Sequence, residues 1–341
     1  VSGLNKKLFA SLIIVVLLVL SASAFVVFYK GTAEGNRPAS QHIEIPRGSS
    51  FTQITDTLVR HGLVSQPLFF RLYGRFLAKD KKIKAGYFNI PGGLSISELM
   101  NNLLKAKQSA IRITLIEGWS DAQVIAKIAN KLRLRETIFD SLSADKDFLK
   151  SLGLDLTGIT GYLLPDTYSF TYDMTEKEIL AHLVRQTMAI FETDSIQQAM
   201  TALKFDRRQI LTLASLIEGE ALADSERVLI SSVFHNRLRI GMRLQSCSTI
   251  QYILPGSARR LLLKDLEIPS EYNTYLHVGL PPGPINNPGR KSILASLFPK
   301  KSNFLYFVAR GDGSHRFSAS ASEHNQAKAD FDEIRRKYYR H

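Results

Sequence analysis

From Leu8 to Phe28 the chain carries no charged residue and no polar face, 21 positions of Leu, Ile, Val, Phe and small residues in unbroken succession. A helix rises about 1.5 Å per residue, so such a run matches a hydrocarbon core of about 30 Å. Beyond Lys30 the pattern changes to alternation and helical stripes. His42-Ile43-Glu44-Ile45 alternates as a strand. Ser49 or Ser50 can cap a helix that presents Ile54, Leu58 and Val59 on one face. Ser65-Gln66-Pro67 opens a second helix through Phe69, Phe70 and Tyr73, and Ala85–Ile90 reads as a closing strand before helical residues 95–107.

From Ala110 the spacing predicts a strand over Ile111–Ile116, then helices over 123–132 and 138–152. A turn-rich aromatic stretch, Gly161–Tyr168, follows. Longer helices are expected over 176–191 and from Asp206 to about Leu238, with Gly219 as a weak point. Proline and glycine then dominate 279–289. A strand over 304–309 and a C-terminal helix close the chain. Strands and helices without βαβ regularity indicate an α+β fold. The resulting organisation is a tail at 1–7, a transmembrane helix at 8–28, a linker at 29–41, a small module at 42–107 and a larger domain at 108–341.

Charge sharpens this picture. Lys6 and Lys7 precede the apolar run and no acid appears before Glu34, so the tail is expected to stay cytoplasmic and the rest to face outward. Ala22-Ser23-Ala24 offers a cleavage site instead, but the run is longer than a signal h-region and continues through Phe28. The formal net charge of +13 favours an anionic partner. An exported domain does not meet nucleic acid, which leaves lipid headgroups or an acidic wall polymer. The lone Cys247 excludes an internal disulfide framework, and no zinc-protease or nucleotide-binding signature occurs. No metal or cofactor is expected.

Candidate chemistry centres on the helix around Glu218. At about 100° per residue, Ile210, Leu213, Ala214 and Ala221 cluster within about 60° of Ile217, and Glu218 sits on the shoulder of that stripe. Partial desolvation favours the protonated form of a carboxyl, which a general acid at a glycosidic oxygen requires. Glu220 falls on the opposite shoulder, about 160° round the helix from Glu218. Angle alone does not choose between the two acids, and a boundary Glu218 paired with Arg227 or Arg243 is the plain structural alternative.

Several longer strings carry a resemblance. Ala214-Ser215-Leu216-Ile217-Glu218-Gly219-Glu220-Ala221, then 233–238 (VFHNRL) and 241–246 (GMRLQS), resemble the YceG-like family. So do 161–168 (GYLLPDTY), Tyr272-Asn273-Thr274-Tyr275, 279–285 (GLPPGPI) and Glu323-His324-Asn325. The order holds over nearly the whole chain. The strand–helix–helix–strand module is similar to LysM-like carbohydrate-binding modules.

This resemblance implies endolytic cleavage of peptidoglycan glycan strands between N-acetylmuramic acid and N-acetylglucosamine. Glu218 would act as general acid and then base while the muramoyl 6-hydroxyl attacks C1, leaving a 1,6-anhydro end. Because the substrate's own hydroxyl replaces water, one carboxylate can suffice. Substrate contacts are expected from Gln245, Ser246, Tyr272, Asn273, Tyr275 and Asn325, with loop packing as the competing role. Trp119 and His324 read more simply as core. The resemblance also implies association with peptidoglycan synthases at the cell inner membrane, with the catalytic domain on its periplasmic face. Two departures stand out: Cys247-Ser248 replaces a common Asp-Pro, and Thr160 stands where an acid is frequent. The competing functions are a non-catalytic wall-binding protein, and a two-acid hydrolase drawing on Asp166 or Asp224.

Overall fold

The computed structural model describes residues 2–28, 40–105, 109–256 and 259–338. The linker read over 29–41 lies outside them except for Ser40 and Gln41, which already belong to a strand. The chain divides into two units, Val1–Arg112 with Ser169–Met174, and Ile113–Tyr168 with Thr175–His341.

The first unit begins with α1 (Ser2–Phe28), whose apolar side chains from Leu12 to Leu20 are exposed. The side chains at 8, 10, 11 and 26–28 lie outside the described residues, so only part of the apolar run can be followed. Among the described residues no helix is long and apolar enough to cross a membrane, and the expected transmembrane helix is not found there.

Next come β1 (Ser40–Ile45), α2 (Phe51–Arg60), α3 (Pro67–Phe76), β2 (Gly86–Pro91) and α4 (Ile96–Lys105). The strand–helix–helix–strand order matches the alternation in the sequence. β1 and β2 pair antiparallel with Ile43 opposite Phe88 and Ile45 opposite Gly86. That register turns Ile43, Ile45, Phe88 and Ile90 to one face, where they meet Ile54 and Leu58 of α2, Phe70 of α3 and Leu99 and Met100 of α4. Each such side chain contributes about 1.5–3 kcal/mol on full burial. Ser50 caps α2 and Gln53 returns the bond, satisfying two otherwise orphan amides.

The second unit opens within β3 (Ile111–Thr114), which pairs with β4 (Thr167–Phe170). Between these strands run α5 (Asp121–Leu132), α6 (Glu136–Ser143) and α7 (Lys146–Ser151). After β4 come α8 (Glu176–Ile190), α9 (Asp194–Leu203), α10 (Arg207–Glu220), α11 (Arg227–Arg239), α12 (Cys247–Ile253) and α13 (Arg290–Leu297). The hairpin β5 (Tyr306–Ala309) and β6 (His315–Ser318) and helix α14 (Ala321–Tyr338) complete it. Helices with small two-stranded sheets give the α+β class expected.

Three local readings are corrected. The helix expected over 138–152 is two, because Asp145 accepts the Phe148 amide and starts α7 afresh. The helix expected over 206–238 is also two. Ala221 is extended (φ −83°, ψ 119°), and a short 3-10 turn, Asp224–Glu226, precedes α11. Finally, α10 is not half-exposed along its length: every residue from Ile210 to Ile217 is buried. Its polar members satisfy themselves, Thr212 donating to the Arg208 carbonyl and Ser215 to the Thr212 carbonyl. Beyond the buried stretch only the two ends of α10, Arg207–Gln209 and Glu218–Glu220, reach the surface.

Candidate active site

Glu218 occupies that last turn with its side chain 5% exposed. Both carboxylate oxygens accept. Arg227 Nη1 donates to Oε1 at 2.7 Å, and the Gly289 amide donates to Oε2 at 2.9 Å. The break between α10 and α11 is what turns Arg227 back onto Glu218. The ion pair weighed from the sequence as the structural alternative is therefore present.

Arg227 has further acceptors. Its Nη1 also donates to Ser292 Oγ at 2.6 Å and its Nε to Asp224 Oδ1 at 3.1 Å, while Lys291 pairs with Asp224 from outside. Burial works against a charge on Arg227, but Glu218 and Asp224 more than offset it and hold the guanidinium above its ordinary range. The bonds from Lys291 and then Arg227 keep the Asp224 carboxyl below its ordinary range. Glu218 thus faces a cation that can lean on two other acceptors.

The Gly289 amide is positioned by Asn287. Asn287 is fully buried, its Oδ1 accepts from the Gly161 and Leu163 amides, and its Nδ2 donates to the Trp119 carbonyl and to Asp121. Its backbone exchanges bonds with the 117–119 turn: the Gly118 amide donates to the Asn287 carbonyl and the Asn287 amide to the Trp119 carbonyl. One side chain thereby joins three loops beneath Glu218. Burial pushes the Asp121 carboxyl up, partly offset by bonds from Thr160 and Asn287. Thr160, standing where an acid is frequent, thus serves as the donor to Asp121. Trp119 is half-buried and contributes its carbonyl to this clamp.

Glu220 faces elsewhere, as the helical angle requires. Its Oε1 accepts the Ser246 hydroxyl and the Ser248 amide, the latter at 3.1 Å. Ser246 is 1% exposed, so its hydroxyl anchors the 246–248 loop. Gly219 makes the close approach possible, since a Cβ there would lie 2.6 Å from Ser248 Cβ.

The remaining candidates divide by exposure. Gln245 is exposed, in the left-handed region (φ 48°), with its amide bonded to the Thr274 carbonyl. Tyr272 is half-buried against Tyr252, ring centroids 4.9 Å apart. Asn273 turns inward: it is fully buried, its Nδ2 donates to the carbonyls of Leu266 and Ile268, and its Oδ1 accepts the Tyr275 amide. The Tyr275 hydroxyl meets Cys247 Sγ at 3.1 Å, and burial raises both groups above their ordinary ranges. Asn325 is exposed on α14; beside it Glu323 caps that helix and His324 stacks on Tyr306. The structure ties none of these side chains to Glu218 by a hydrogen bond. Of the two acids weighed for a hydrolase, Asp224 shares Arg227 with Glu218, and Asp166 accepts the neighbouring Thr167 amide.

Asn287, Gly289, Ser292 and Glu117 were not singled out from the sequence. The paired asparagines before Pro288-Gly289 were the available signal, because adjacent amides in a proline-rich loop usually organise backbone. Two cavities of about 570 and 610 Å³ are lined around Lys146, Lys150 and Arg208, and around His235 and Arg239. Glu218 borders neither.

The chain is similar to several known proteins. The chain is 32% identical over 311 residues to the endolytic murein transglycosylase of Bacillus subtilis, covering 86% of each chain. It is 28% identical to the endolytic murein transglycosylase of Streptococcus pneumoniae, over 84% of this chain and 58% of that longer protein. A crystal structure of a yceG-like protein from Listeria monocytogenes superposes with a TM-score of 0.60 at 29% identity, covering 84% of this chain and 98% of the other. The family model described as YceG-like matches residues 43–330, a span that holds every site residue discussed above. The chain belongs to the YceG-like family.

Proposed function

We propose that this protein is a lytic murein transglycosylase that cleaves peptidoglycan glycan strands internally and leaves 1,6-anhydromuramoyl ends. The observation that carries the reading is Glu218 itself, a nearly buried carboxyl held between one backbone amide and a guanidinium with two alternative acceptors. A carboxyl whose oxygens both accept is oriented to receive a proton. As the acid it must first give one, and Arg227 can shift its weight to Asp224 and Ser292 as Glu218 is neutralised. Proton transfer of this kind contributes roughly 10²–10⁴-fold. The names of the Bacillus and Streptococcus relatives support the same reaction.

In this reading C1 loses its bond to the leaving oxygen, which takes the Glu218 proton. The muramoyl 6-hydroxyl then bonds to C1 and returns its proton to Glu218. Gln245, on an exposed strained turn, and Tyr272 are the substrate contacts best placed to be reached. The strand–helix–helix–strand module serves as a LysM-like glycan-binding module, and the apolar run 8–28 anchors the chain in the cell membrane with the residues after Lys30 outside. The anchor rests on its sequence alone.

Mass spectrometry of purified glycan digested by the protein tests the reaction. Anhydro ends are expected. Reducing ends would make it a hydrolase, and intact glycan with retained binding would make it a wall-binding protein.

A further inference from the structure

We propose that Glu117 is a second catalytic carboxylate of this site, stabilising the positive charge that develops at C1; the inference rests on the transglycosylase reading above. The position that a Cβ on Gly289 would occupy is 2.5 Å from Glu117 Cγ and 3.3 Å from Glu218 Oε2. Those two atoms are therefore within about 6 Å of each other, with the glycine backbone between them. The residue after Glu117 is equally close: a Cβ on Gly118 would lie 3.6 Å from Glu218 Cγ.

Its backbone is fixed while its side chain is not. The 117–119 turn is clamped to Asn287 by two backbone bonds, one on Gly118 and one on Trp119, so the base of Glu117 cannot drift from Glu218. Yet Glu117 is exposed, and among the described residues it makes no hydrogen bond or ion pair. The neighbouring acids all have partners: Asp224 pairs with Arg227 and Lys291, Asp121 accepts from Thr160 and Asn287, and Glu220 accepts from Ser246 and Ser248. A carboxylate left unpaired at this distance, on a rigid turn, is free to swing its negative charge toward an oxocarbenium-like centre that forms beside the proton donor. Bound glycan would cover the carboxylate, and a charge held against the reacting carbon away from water stabilises the transition state. Glu117 gains and loses no proton here; Glu218 alone carries the proton out and back.

The test compares wild type, Glu117→Gln, Glu117→Asp and Gly289→Ala in the full chain on the same purified glycan strands. Glu117→Gln is expected to lower kcat by about 10²-fold with KM within about twofold, unchanged glycan binding and an unchanged melting temperature, the residual product still carrying anhydro ends. Glu117→Asp should recover part of kcat, since it keeps the charge. Gly289→Ala has no backbone penalty at φ −72°, and its new methyl would displace Glu117 Cγ. It should reproduce the kcat loss in a folded protein. A wild-type kcat in Glu117→Gln, or a loss confined to KM, overturns the assignment while anhydro ends from wild type keep the transglycosylase reading intact. Reducing ends from wild type overturn that reading, and with it the charge-stabilising role. No cleavage by wild type overturns both.

Discussion

Helix α10 ends in two glutamates two residues apart, and they live in different worlds. Glu220 accepts from a serine hydroxyl and a backbone amide, both neutral and both within the 246–248 loop. Glu218 also accepts from a backbone amide, but its other partner is a guanidinium shared with Asp224 and Ser292, and an unpaired Glu117 stands beside it. Neutral, unshared donors fix a loop in place. A cation with alternative acceptors lets a carboxyl change its charge without leaving an uncompensated ion behind. The same residue type on the same helix is thus a fastener on one side and, in the proposed reaction, a reagent on the other.

The largest effect should come from Glu218→Gln, which keeps the shape and the hydrogen bonding but cannot transfer a proton. A loss of about 10⁴-fold or more in anhydro-end formation is expected, with the melting curve close to wild type. Residual activity near wild type would place the reagent elsewhere.

Arg227→Ala sharpens the comparison from the partner's side. The pair is buried, with side chains 11% and 5% exposed, so removing the guanidinium leaves a charge without its counterion and should cost about 3–5 kcal/mol by chemical denaturation. An equivalent change on the other shoulder, Glu220→Ala, strands only neutral donors and should cost about 1–3 kcal/mol. If the two losses are equal, the contrast between charged and neutral partners carries no energetic weight.

Acidification probes the Glu218 side separately. His235 Nε2 on α11 donates to the Ser296 carbonyl on α13, and these helices carry Arg227 and Ser292. Burial lowers the His235 pKa, with the Ser296 bond partly opposing it. The unfolded chain then binds more protons than the folded one below the ordinary histidine value of about 6.5, so stability falls as pH drops through that value. Melting temperature should decline between pH 7 and pH 5, and His235→Gln should flatten the decline. His182 and His324 are lowered in the same direction, also by burial first, so some slope should survive.

The smallest effect is expected from Ser248→Pro. A proline at 248 cannot donate the amide that Glu220 accepts. Position 248 lies in the first turn of α12, where proline is tolerated, and reduced freedom in the unfolded chain offsets part of the lost bond. A change in stability below about 2 kcal/mol and nearly full activity should result. A collapse of activity would mean that the Glu220 side takes part in the chemistry.

Much of this was legible beforehand where the signal is local. The alternation at 42–45, a cap at Ser49 or Ser50 and a helix start at Asp206 gave elements close to those observed, because period and capping act within one or two turns. Helical angle separated Glu218 from Glu220, and the pairing of Glu218 with Arg227 was one of the alternatives the sequence left open. Other positions were left open by the sequence. Asn273 stood between a sugar contact and loop packing, and it is buried with three bonds to residues 266, 268 and 275 of its own loop. The break after Glu220 showed in the sequence only as a weak point at Gly219, because α10 is buried on all sides from Ile210 to Ile217, which blurs the amphipathic pattern from which helix limits are read.

By itself, then, the sequence determined the α+β class, the apolar N-terminal run, the order of the small unit and the placing of Glu218 and Glu220 on opposite shoulders of one helix, all of them written in the chain at short range. Tertiary structure alone decided what surrounds Glu218. Glu117 and Gly289 are brought beside Glu218 from about a hundred residues before it and about seventy after, and Asn287 ties their two turns together. The reason is physical: a charge's role depends on which charges and donors lie within a few ångströms of it. Those neighbours are set by packing, which local sequence pattern does not encode.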